Sequence, residues 1–126
     1  MSVKVQGVID LPHVDLRDFE VLQELLFFLY EEGLIDLSEW SIYKDGDTLR
    51  LTHKTRAWSY IHINSIGTVE WDAHYKETTA FKDKLLKTIG EYYPAFKKAY
   101  SIAQKYKAKL SLSEDKEKII LEVQDG

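Results

Sequence analysis

Between Trp40 and Tyr75 the chain alternates apolar and polar residues in four short runs: Trp40–Lys44, Asp47–Lys54, Ala57–Asn64 and Thr68–Tyr75. A period of two marks half-buried strands, and four such runs joined by short turns predict an antiparallel meander. Asp45-Gly46 marks the first turn, because a two-residue type I′ loop needs positive φ at both positions. Ser65-Ile66-Gly67 marks the last. This reading pairs Ile42 with Leu49 and Trp40 with Leu51. Trp40, Ile42, Leu49, Leu51, Ile61, Ile63, Val69 and Trp71 then share the face expected to carry the core.

The opposite face collects polar and aromatic side chains. The turns align Arg50, Tyr60 and Asp72 in one row, Thr48, His62 and Glu70 in a second, and Thr52, Trp58 and His74 in a third. Arg, Tyr and Trp are enriched at binding hot spots. The candidate ligand or partner face is therefore Arg50, Trp58, Tyr60, His62, Glu70, Asp72 and His74. The plainer alternative is a solvent face whose pairs, Arg50–Asp72 and His62–Glu70, each contribute roughly a few tenths of a kcal/mol.

His62, His74, Asp72 and Glu70 have the donor chemistry for a divalent metal. Their spacing matches no metal motif, so no metal or other cofactor is expected. His62 with Glu70 would make an acid–base pair, yet no nucleophile or oxyanion arrangement accompanies it, and no catalytic residue is assigned. His13 and His53 read as loop and core-edge residues. Phosphate-cradling glycine loops are absent.

The flanks supply the rest of the fold. Val3–Ile9 reads as a strand stopped by Asp10-Leu11-Pro12. A helix follows, capped by Asp15 and running to about Glu32, with Gly33 as its stop. Phe19, Leu22, Leu26 and Leu29 face the core. Val21, Leu25 and Phe28 widen that stripe, which predicts either a central buried helix or a homodimer through Phe19–Tyr30. From Thr78 the period is helical again, with Phe81, Leu85, Leu86 and Ile89 on one stripe until Pro94 ends or kinks the helix. A second helix, Ala95–Lys107, is expected to turn Ala99, Ile102, Ala103 and Tyr106 inward. A terminal hairpin, Lys109–Ser113 with Lys118–Gln124, would bury Leu110, Leu112, Ile119, Leu121 and Val123. The order β-α-ββββ-α-α-ββ predicts one α+β domain over 1–126. Its sheet is antiparallel-dominated (meander 40–75, terminal hairpin 109–124), with helices packed on one face.

Composition narrows the function classes. There is no cysteine, hence no disulfide, thiolate zinc site or Cys nucleophile. The longest apolar run, Leu25–Tyr30, falls far short of the ~20 residues of a membrane helix. The N-terminus lacks a signal-peptide pattern. A soluble, intracellular protein with no membrane partner is expected, its disorder confined to Gln124–Gly126. One Met and one Asn against many Lys, Glu and Tyr lean towards a thermophilic source.

Charge is uneven. Residues 1–47 hold 11 acids and 3 bases, residues 48–126 hold 10 acids and 14 bases, and the two halves are expected to complement each other internally. Residues 76–109 hold nine Lys and three acids, interleaved with Tyr92, Tyr93, Tyr100 and Tyr106, a composition for binding nucleic acid. Only three arginines and an acidic pI of about 5.6 argue against that partner.

Residues 47–123 resemble an uncharacterised domain of cyanobacteria and algal plastids. The likeness lies in a strand pair ending near Trp71-Asp72, a helix with Tyr92-Tyr93, Ala99 and Ala103, and a hairpin from Ala108-Lys109-Leu110 to Ile119-Ile120-Leu121-Glu122-Val123. That family carries Gly after the last helix, where this chain has Tyr106-Lys107, and Asp-Gly in the hairpin, where it has Asp115-Lys116. The resemblance implies the order of elements and no activity. The composition is also similar to small orphan proteins of hyperthermophilic archaea and their viruses. The expected role is a non-enzymatic protein-interaction or accessory protein. The alternatives are a nucleic-acid binder using 76–109, and a small-ligand binder or enzyme around Arg50, Tyr60, His62 and Asp72.

Overall fold

A computed structural model describes residues 4–8, 18–56 and 58–123. The elements run β1 (Lys4–Val8), α1 (Phe19–Glu31), β2 (Trp40–Asp45), β3 (Thr48–His53), β4 (Tyr60–Asn64), β5 (Thr68–Asp72), α2 (Lys76–Tyr106), β6 (Ala108–Leu112) and β7 (Ile119–Val123). The meander β2–β5 is continuous, and β1 closes its far side in the order β1-β5-β4-β3-β2, every pair antiparallel. β6 and β7 form a separate two-stranded sheet. The α+β class with an antiparallel-dominated sheet is as expected.

The inward parity holds. Leu49, Leu51, Ile61, Ile63, Val69 and Trp40 are buried, with Ile42 and Trp71 packed against them. Trp40 stacks on Phe81 of α2 at 4.9 Å and meets His53 edge-on at 5.2 Å. His53 is indeed a core-edge residue. Its Nδ1 accepts the backbone N–H groups of Thr55 (3.2 Å) and Arg56 (3.1 Å), and its Nε2 lies 3.4 Å from Glu39.

The first turn differs from its expected form. Asp45 pairs with Thr48, so the loop is Gly46-Asp47, and Gly46 alone takes positive φ (+58°). That fits a II′ turn, which needs Gly at its first central position. Ile42 therefore faces Leu51 and Trp40 faces His53, a slip of two residues that leaves both faces intact.

α1 is the central buried helix. Asp18 caps it, accepting from Val21 N–H at 3.4 Å; the expected caps and breakers at Asp10–Asp15, with His13, lie outside the described residues, as does Gln124–Gly126. Its C-terminus is a Schellman motif, with Leu34 N–H to Leu29 O (2.9 Å), Gly33 N–H to Tyr30 O (3.0 Å) and Gly33 at φ +79°. Val21, Leu25 and Phe28 are buried within the chain, so the wide stripe is accounted for without a second subunit. Phe27 and Tyr30 stay exposed.

The two expected helices after Thr78 are one. α2 passes through Pro94 for 31 residues. Proline removes one backbone donor and crowds the carbonyl four residues back, here that of Gly90. The buried stripe Leu85, Ile89, Tyr93, Phe96, Ala99 and Ala103 keeps helical spacing straight across Pro94, and packing outweighs the local cost. Ile102 and Tyr106, expected inside, are exposed. The terminal hairpin lies against α2, with Leu110, Leu112 and Ile119 on the core and Val123 exposed instead of buried. Its tip is tied down by Tyr92, whose hydroxyl donates to Lys116 O at 2.8 Å.

Candidate functional site

α1 and α2 cover one face of the five-stranded sheet, and the other face stays open along β1 and β3–β5. β4 and β5 align as expected, His62 opposite Glu70. β3 meets β4 two residues away from the expected register, so Arg50 faces His62, and Tyr60 faces Thr52. β1 adds Gln6 opposite Glu70, and β2 adds Tyr43 opposite Arg50. One row thus crosses the whole sheet: Tyr43, Arg50, His62, Glu70, Gln6.

The row is a connected polar network. Arg50 Nε donates to Asp45 Oδ2 at 2.9 Å. Its Nη1 lies 3.2 Å from Nδ1 and 3.3 Å from Nε2 of His62, so the guanidinium lies across the ring. His62 Nδ1 is 4.0 Å from Glu70 Oε1, and Glu70 Oε2 accepts from Gln6 Nε2 at 2.8 Å. The Tyr60 ring lies 4.6 Å from His62. Arg50, His62 and Glu70 line a groove of about 380 Å³ together with Gln6, Thr48, Asn64 and Thr68, with Ile66 at the rim.

Three of the expected site residues lie elsewhere. Asp72 is fully buried, not on the open face. β5 ends there, and the Asp72 carboxylate accepts from His74 N–H (2.9 Å) and Ser59 Oγ (3.3 Å), while Thr78 Oγ1 donates to Ser59 Oγ at 3.4 Å. This Asx-type turn feeds the chain into α2, so no Arg50–Asp72 pair exists. Trp58 and His74 fall beyond the strands, because the chain turns at Arg56–Ser59 and β4 starts only at Tyr60. They gather around Tyr75: Trp58 Nε1 donates to its hydroxyl at 3.3 Å, His74 meets its ring at 4.9 Å, and the Arg56 guanidinium sits 5.1 Å above it. Arg56 Nε is buried there without a hydrogen bond.

Gln6, Asn64, Thr68 and Asp45 were missing from the expected face. Asn64 and Thr68 continue the alternation of their strands and were within reach of the pattern; Gln6 depends on strand order, which no local pattern encodes.

Among the described residues, no three His, Asp or Glu side chains gather so as to hold a metal ion. The lysine-rich helix also offers less to a nucleic acid than its sequence promises. Tyr93 is fully buried, and Tyr92 and Tyr100 are half-buried with hydroxyls engaged by Lys116 O and Gln104 Nε2. Burial, reinforced by Glu91 for Tyr92 and by Glu24, Glu20 and Asp18 for Tyr100, holds both phenols above their usual pKa. Lys82 is buried, its ammonium 3.9 Å above the Trp71 ring and paired with Asp83. No helix among the described residues is long and apolar enough to cross a membrane. Comparison with protein-family models, curated proteins and solved structures returns no match for the chain.

Proposed function

We propose that this chain is a non-enzymatic interaction module that binds a protein partner on the open face of its sheet. The observation that carries the reading is the cross-sheet row Tyr43–Arg50–His62–Glu70–Gln6, held on five strands paired in one sheet. Binding groups placed on regular elements keep their geometry better than groups on loops. Because Arg50, His62 and Glu70 are engaged with one another, the groove offers few uncommitted charges to a small ion. A broad surface with Tyr and Arg at its centre suits a protein partner better. The accessory role, an intracellular site of action and a hyperthermophilic archaeal or viral source accord with the cysteine-free, Lys- and Glu-rich composition.

Site-specific photo-crosslinking in cells of the source tests this. A crosslinker at Tyr43 is expected to capture one discrete partner, and the adduct should vanish with Arg50→Glu. A crosslinker at Lys87, on the solvent side of α2, should not capture that partner. Equal capture at both positions, or indifference to Arg50→Glu, would overturn the assignment.

A further inference from the structure

Two exposed helix faces in this chain share one layout with opposite sign. On α1, Glu24, Phe27 and Glu31 recur at i, i+3 and i+7, which places them on one face; all three line one groove beside α2. On α2, Lys98, Ile102 and Lys105 recur at i, i+4 and i+7 and are all exposed. Each face therefore has a large apolar centre flanked by like charges, Phe27 at 47% exposure and Ile102 at 45%.

The charges are not used up internally. α1 and α2 are packed neighbours, Phe28 meeting Phe96 at 5.2 Å, yet among the described residues no ion pair joins the two helices. Lys105 lies 5.4 Å from the ring of its neighbour Tyr106, in a cation–π arrangement. Counter-charges nearby do not cancel either face. Lys109 lines the α1 groove against two glutamates, Glu24 and Glu31, leaving it net acidic, and Glu117 beside Lys98 is offset by Lys118. The acidic and basic halves of the sequence are thus expressed as separate outward faces.

We infer that the occupant of the α1 face is a second copy of this chain, whose α2 face docks acid-on-base with Phe27 against Ile102. The two patches differ, so the contact is heterologous and assembly can continue beyond two copies. This association is independent of the sheet-face partner proposed above.

Sedimentation velocity on the full chain tests it. At low salt the average mass should rise above 14.7 kDa with concentration, returning to the monomer near roughly 0.5 M salt, where exposed charges are screened. The double variant Glu24→Lys/Glu31→Lys and the double variant Lys98→Glu/Lys105→Glu should each be monomeric at low salt. Mixing the two should restore association, because each then offers the other a complementary face. A monomer at low salt in the unaltered chain, association that survives either reversal, or a mixture that stays monomeric would each overturn the inference. Circular dichroism of both variants, altered only at exposed positions, should match the parent.

Discussion

Asp72 shows what a single side chain can decide here. By alternation it belongs to the open face with Glu70, yet its carboxylate is buried and joins Ser59, Thr78 and the His74 amide at the exit of β5. Removing it would leave the buried Ser59 hydroxyl and the His74 amide without their acceptor. Asp72→Ala is expected to lower the unfolding free energy by about 1–3 kcal/mol, read by urea denaturation, whereas Thr52→Ala on the open face should change it by less than about 0.5 kcal/mol. Asp115 sets a pH-dependent detail. The Ser113 hydroxyl and the Glu117 N–H (3.0 Å) hold its carboxyl below the ordinary value. A depressed carboxyl stabilises the turn above its unfolded pKa, and that contribution is lost as pH falls through the folded one. The Glu117 amide resonance should stay constant through neutral pH and shift only on acidification below the ordinary Asp range; a shift centred near neutrality would contradict the contact. At this scale the parity of nearly every strand residue was legible, since burial enforces the period of two. The Asp72 exception was not, because it depends on where the strand stops.

Among the elements, register and helix length were the hard features. Asp45-Gly46-Asp47 announced a hairpin but not which two residues formed its loop, and a slip of two keeps every face while exchanging every partner. Arg50 therefore met His62 and not Tyr60. Pro94 suggested a break, but the stripe from Leu85 to Ala103 was continuous in the sequence and outweighed the local signal. α2 ends at Lys107, a non-glycine in left-handed backbone at φ +53° with its N–H on Ala103 O. Left-handed backbone costs an L-residue roughly 1–2 kcal/mol. Lys107→Gly removes that cost, partly offset by greater freedom in the unfolded chain, and should raise the melting temperature slightly. Lys107→Val should lower it, since a β-branched residue fits that conformation worst. The reverse order would refute the cap geometry.

For the whole molecule, the fold class followed from the order of patterned segments, while strand order did not. β1 lies beside β5, more than sixty residues away in sequence, and only that placement brings Gln6 to Glu70. The result is a layered body with helices on one side of the sheet and a polar, aromatic row on the other. The central claim is that this open row binds the sheet-face partner and that Lys87, exposed on α2, lies outside that contact. Its most direct test is the affinity of the partner captured at Tyr43 for two folded charge-reversal variants, Arg50→Glu and Lys87→Glu. The account predicts at least tenfold weaker binding for Arg50→Glu, about 1.4 kcal/mol, and less than about twofold change for Lys87→Glu, as expected of a charge outside the contact. Equal losses, or a loss confined to Lys87→Glu, would contradict it.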